Sequence, residues 1–249
     1  MFLRKVILLA VLALAAVPAI AQIHEISHGY GPGPASRGSI AVVRGVNLAT
    51  SIAHAQDWVN LPTELGGASV TIDGVPCRLM MASPTSIMLV VPDEIPQSTY
   101  VKLRWGWYIS PQVLRVKAAM SHEYKFHLTD TAPWWQIVNG WPVGAVIGSG
   151  GLVAVVERGV IPVVAGTVVR LHASGARSFR APENVFYKVL FFTPAGEFLE
   201  AEARVERDPV LAGIDLVLFS PPAEWAGLRG WLYLQTPSNF SEGVGVEFK

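Results

Sequence analysis

The chain has 249 residues, and its 19 lysines and arginines are balanced by 19 aspartates and glutamates. A neutral chain without a basic cluster lacks the electrostatic footprint of a nucleic-acid binder. A half-apolar composition with a single cysteine excludes a disordered chain and an internal disulfide framework, and the length suits one large or two small domains.

The chain opens MFLRKVILLAVLALAAVPAIAQ. Arg4 and Lys5 precede an apolar run from Val6 to Val17, and Ala19-Ile20-Ala21 fits a small-residue cleavage site. Residues 1–21 therefore read as a secretory signal peptide. No later stretch reaches the roughly 18 apolar residues of a membrane span, so no transmembrane segment is expected in the mature chain. The expected location is secreted, either extracellular or periplasmic, from a bacterial cell. Residues 22–36 follow as a Gly/Pro-rich segment expected to be flexible.

That segment begins with His24-Glu25-Ile26-Ser27-His28, a match to the zinc-protease pattern H-E-x-x-H. The pattern works only on a helix, which places both histidines on one face. Here Gly29-Tyr30-Gly31-Pro32-Gly33-Pro34 follows at once and stops a helix, so no catalytic zinc is expected. If cleavage frees Gln22, then Gln22-Ile23-His24 offers amine, amide and imidazole nitrogens, a square-planar set that suits Cu or Ni. The sequence leaves open whether that set binds metal.

Short β-rich runs come next. They include Ser39–Arg44, Ala68–Ile72, Val75–Met81, Ser86–Val91, Tyr100–Ile109 and Gln112–Lys117. Asp73-Gly74 between two alternating runs signals a hairpin, because both turn positions need positive φ. Closely spaced strands of this kind imply an Ig-like β-sandwich over residues 37–118. Cys77 falls in an alternating apolar segment and reads as buried and inert.

Residues 119–165 read as a connecting β-hairpin region. Gly148-Ser149-Gly150-Gly151 lacks the spacing of a nucleophile elbow and the lysine of a phosphate loop, and it reads as a hairpin turn. Residues 166–249 echo the first half at a nearly constant offset. Gly166-Thr167-Val168 answers Gly38-Ser39-Ile40, Ser220-Pro221 answers Val91-Pro92, and Val244–Phe248 answers Val113–Lys117. A second Ig-like sandwich is therefore expected over 166–249. Within it, Glu197–Asp208 has helix-forming residues, yet Glu200, Glu202, Arg204 and Glu206 alternate with Ala201, Ala203 and Val205. Period two makes this a strand with a solvated acidic face. The fold class is all-β: two tandem Ig-like β-sandwiches after a signal peptide.

One family shares this order of motifs. Arg37-Gly38-Ser39-Ile40, Gly45-Val46-Asn47-Leu48-Ala49, Leu61 through Pro76, Ser83-Pro84-Thr85-Ser86-Ile87 and Val91-Pro92 resemble the uncharacterised Ig-like C-terminal domain of secreted acidobacterial proteins. They are similar also to IPT/TIG-type Ig domains. The likeness is clearest over residues 37–92, and Thr131-Ala132-Pro133 matches the family's linking stretch, with Trp134 where the family carries glycine. The resemblance implies an extracellular, non-catalytic module and supplies no catalytic residues.

The eight tryptophans are the remaining functional signal. Trp105 and Trp107 share a strand face, whereas adjacent Trp134 and Trp135 point to opposite sides of an extended chain. These four are the candidate ligand-binding residues. No catalytic, cofactor-binding or metal-binding residue is expected. Three functions fit. The first is a structural or adhesive protein binding a protein partner at the cell envelope. The second is a carbohydrate-binding module that stacks tryptophans on a polysaccharide. The third, a secreted hydrolase, would need a cleft with facing carboxylates or three converging metal ligands.

Overall fold

The computed structural model describes residues 21–31, 33–95, 100–103, 106–109, 112–117, 121–178 and 186–249. The fold is all-β, 53% strand against 2% helix. The first half contains β1 (Gln22–His28), β2 (Ile40–Val46), β3 (Ala53–His54), β4 (Glu64–Leu65), β5 (Ala68–Ile72), β6 (Val75–Pro76), β7 (Arg78–Ala82) and β8 (Ser86–Val90). A separate hairpin of β9 (Tyr100–Leu103) and β10 (Gly106–Ile109) follows, then β11 (Gln112–Lys117) and β12 (Ser121–Phe126).

These strands build two sheets, β1-β2-β8-β7-β3 and β12-β11-β5-β4, with β6 also on β5. Alternation explains how they meet. In β5, Ala68, Val70 and Ile72 are buried while Ser69 and Thr71 are half-exposed. Val70, Ile72 and Leu114 of one sheet pack in a common core with Val43, Leu79 and Leu89 of the other. Two sheets sharing one core is sandwich packing. The Asp73-Gly74 turn has positive φ at both positions, 49° and 83°, as the dipeptide predicts.

The second half contains β13 (Trp134–Trp135), β14 (Ile137–Val138), β15 (Trp141–Pro142), β16 (Gly144–Gly148), β17 (Gly151–Val155) and β18 (Val160–Ile161). It continues with β19 (Val168–Ser174), β20 (Tyr187–Phe192), β21 (Phe198–Arg207), β22 (Asp215–Phe219), β23 (Arg229–Gln235) and β24 (Val244–Phe248). Its main sheet is continuous, in the order β17-β16-β19-β22-β21-β20-β23-β24-β18, with β13 on β19. Strands across its width send Val146, Leu171, Phe191, Val217, Leu234 and Phe248 into one core, so the sheet curls around that core. Trp225 plugs it, 5.3 Å from the Phe191 ring and 5.0 Å from Phe248. The described strands of residues 166–249 all belong to this one sheet. β20 pairs with both β21 and β23 and joins what would be two sheets into one. Within the segment 197–208, Phe198–Arg207 is a strand, with Glu200, Glu202 and Glu206 outward and Ala201 inward.

At the start of the Gly/Pro-rich segment 22–36, β1 pairs along β2 from Gln22↔Val46 to His28↔Ala41. Burial of Ile23, worth about 2 kcal/mol, holds that strand to the core. Described strands within residues 119–165 form the hairpins β14-β15 and β16-β17 and also pair with both halves. β12 pairs with β11 in the first half, and β13 and β16 pair with β19 in the second.

The sequence echo has a structural counterpart. β2 and β19 are both seven-residue strands, and each is entered through a positive-φ glycine, Gly38 or Gly166. The order β2-β8-β7 recurs as β19-β22-β21.

The halves are packed against each other. Ile40, Met80 and Val90 form an apolar cluster with Ala212 and Ile214. Gly213, at φ +79°, lets the chain pass Ile40, whose Cγ1 would lie 2.6 Å from an added Cβ. The Ile40 amide donates to Ser174 Oγ at 3.0 Å. Arg177 reaches across the joint, donating to Asp215 at 2.5 Å and to Asp93 at 3.2 Å. Asp215 also accepts the Ala176 amide at 2.8 Å. Burial pushes the Asp215 carboxyl above the usual carboxylate range, and the Arg177 guanidinium opposes that push.

Candidate ligand-binding surface

The H-E-x-x-H stretch lies in β1, where His24 and Glu25 are exposed and His28 is buried. The motif's two histidines thus face different environments. Among the described residues, no three His, Cys, Asp or Glu side chains converge as metal ligands. Gln22 and Ile23 are held in register against Val46 and Gly45, so a Cu or Ni chelate at Gln22-Ile23-His24 requires these residues to leave the ladder. The Cys77 thiol is pushed up to about 12 by burial, which removes it as a nucleophile at neutral pH.

Trp134 and Trp135 point to opposite sides, as their adjacency predicts. Trp135 is 2% exposed and belongs to the second core, which corrects its reading as a ligand-stacking residue. Its place on β13 beside Ala173 turns the ring inward. Trp134 is half-buried and stacks on His28, with centroids 5.9 Å apart and planes 27° apart. A Cβ at Gly31 would strike its ring. It packs within the protein rather than forming an open platform. Trp105 lies outside the described residues, and of Trp107 only the backbone, in β10, is described.

A row of exposed aromatic residues lies elsewhere, across β21, β20, β23 and β24. Strand register places Phe198 opposite Phe192, Phe192 opposite Trp231, and Trp231 opposite Gly245. Phe192, Phe198 and Trp231 are all exposed. The Phe192 and Phe198 rings lie 5.0 Å apart, and Tyr233 meets Phe192 edge-on at 5.3 Å. At the end of the row, Gly245 carries no side chain, and the Trp141 ring lies 3.9 Å from where its Cβ would be. Four aromatic residues thus line up over three strand spacings of about 4.8 Å each.

Trp141 is held there by the turn between Glu157 and Val160. Arg158 and Gly159 both have positive φ, 49° and 74°. A Cβ at Gly159 would lie 2.6 Å from the Trp141 ring and 2.7 Å from the Gly245 carbonyl. Glycine is therefore what lets the indole settle between the turn and β24. Trp141, at 41% exposure, and Trp231, at 49%, line a cleft of about 400 Å³ together with Pro194, Arg158, Arg229 and Glu247. That volume lies within the ~300–1,000 Å³ range of small-ligand sites. A second cleft of about 550 Å³, also lined by Trp141 and Arg158, runs along Val138 and Val155.

The outward direction of these aromatics is readable from alternation. In Arg229–Gln235, Leu232 and Leu234 are buried, so Trp231 and Tyr233 share the opposite face. Phe198 is in phase with Glu200 and Glu202. Their convergence was not readable, because it depends on register across four strands and on a turn far away in sequence.

Among known proteins, no family model matches the chain and no curated protein matches it.

Proposed function

We propose that the chain is an exported, non-enzymatic binding protein related to tandem Ig-like modules, and that its aromatic face takes a polysaccharide of the cell envelope. The two-sheet packing of the first half and the resemblance over residues 37–92 support the Ig-like reading. The topological echo in β19, β22 and β21 supports duplication. The leader-like sequence of residues 1–21 supports export.

The observation that carries the ligand class is the pair Trp141 and Trp231, both exposed, on one cleft at the end of an aromatic row. Indole rings present flat apolar faces with a polar edge, and a sugar ring has one face of C–H groups and a rim of hydroxyls. Exposed aromatic side chains that are contiguous on one face mark an interaction site. A protein-adhesive reading has its own support in β17, an edge strand whose Leu152, Val153 and Val155 are exposed. Such an edge can accept a partner strand.

Intrinsic fluorescence titrated with soluble envelope polysaccharides tests the sugar reading. The expected result is a saturable change lost in Trp231→Ala and Trp141→Ala while the folded signal persists. A flat response to every polysaccharide, with captured envelope proteins released by Val153→Lys, would overturn it in favour of adhesion.

A further inference from the structure

We infer that the cleft between Trp141 and Trp231 selects an acidic glycan, a chain of sugar rings bearing carboxylates. This rests on the sugar-binding reading and adds the charge of the ligand. Arg158 and Arg229 both line the cleft, and among the described residues neither has an ion-pair partner. Five other described arginines, Arg44, Arg115, Arg177, Arg204 and Arg207, are paired with a carboxylate, whereas Arg78 and Arg170 are not, among the described residues. The cleft's only carboxylate, Glu247, is engaged by Lys249 at 3.5 Å. An overall neutral chain thus carries a local excess of positive charge beside the two indoles that line this cleft.

The backbone supports the same assignment. A long side chain at φ 49° is held in the left-handed region at a cost of about 1–2 kcal/mol. Asparagine or glycine at position 158 would avoid most of that cost. The turn that imposes this conformation also seats Trp141, so one element places a guanidinium and an indole on the same cleft. Guanidinium forks bind carboxylates through two parallel hydrogen bonds, and the indole face takes the ring that carries the carboxylate. Gly230 and Gly245 line part of the cleft and present no side chain there. That shape favours a glycan over an acidic peptide.

Calorimetric titration of the full chain with oligogalacturonate, its full methyl ester and poly-glutamate tests the inference. The acid is expected to bind at least about tenfold more tightly than the ester, the increment of one charge-assisted contact. Arg229→Gln and Arg158→Asn, the latter suited to positive φ, should each bring the acid down to the ester's affinity without lowering the melting temperature. Equal binding of acid and ester would overturn the charge inference and leave the sugar reading standing. Binding of neither would overturn both. Poly-glutamate binding as tightly as the uronate would overturn the glycan assignment.

Discussion

His28 makes the protein's stability sensitive to acid in a calculable way. Burial pulls its pKa from 6.5 down to about 4, and the Ser174 backbone beside it opposes that shift only in part. Its Nδ1 accepts the Tyr30 amide at 3.2 Å, and its ring stacks on Trp134. The unfolded chain therefore takes up a proton on this histidine at a pH where the folded chain does not. The folded pKa is the depressed one, so stability is full above pH 6.5 and falls as the pH drops toward 4. At 1.36 kcal/mol per pKa unit, the loss over that window is about 3 kcal/mol. Urea unfolding of the wild type and of His28→Gln at intervals between pH 7.5 and 4 isolates this contribution, because other groups titrate alike in both. The variant is expected to start lower at pH 7.5 and to lose about 3 kcal/mol less on acidification. Parallel stability curves for the two proteins would refute the reasoning.

Three further outcomes follow from the packing. Asp215→Ala removes the acceptor of two backbone amides and of Arg177, and should cost about 3–5 kcal/mol by denaturant unfolding. Gly213→Ala meets both a positive φ and the Ile40 side chain, and should destabilise by about 1–3 kcal/mol, read as a lowered urea midpoint. Val153→Lys, on an exposed position of an edge strand, should change stability by no more than about 0.5 kcal/mol while slowing aggregation measured by light scattering.

The parts of this fold that were legible in the sequence rest on local rules. The Asp73-Gly74 turn, the alternation of Glu200 to Glu206 and the opposed directions of Trp134 and Trp135 each need only a few neighbouring residues. β1 was not legible, because a polar His-Glu-Ile-Ser-His stretch becomes a strand only when the edge of β2 is present to pair with it. The join through β20 was hidden for the same reason. Each of its strands reads as a strand, but nothing local says that β20 has partners on both sides. At the site, the phase of Trp231 and Phe198 was readable, yet Trp141 reaches them only through a distant turn and the missing side chain of Gly245.

Trp141 and Trp231 form the proposed ligand face. The indole N–H signals of ¹⁵N-labelled protein, recorded during titration with oligogalacturonate, test it residue by residue. The Trp141 and Trp231 signals are expected to move with one saturation curve, while those of buried Trp135 and Trp225 stay in place. Unchanged signals for Trp141 and Trp231, or shifts confined to other tryptophans, would contradict it.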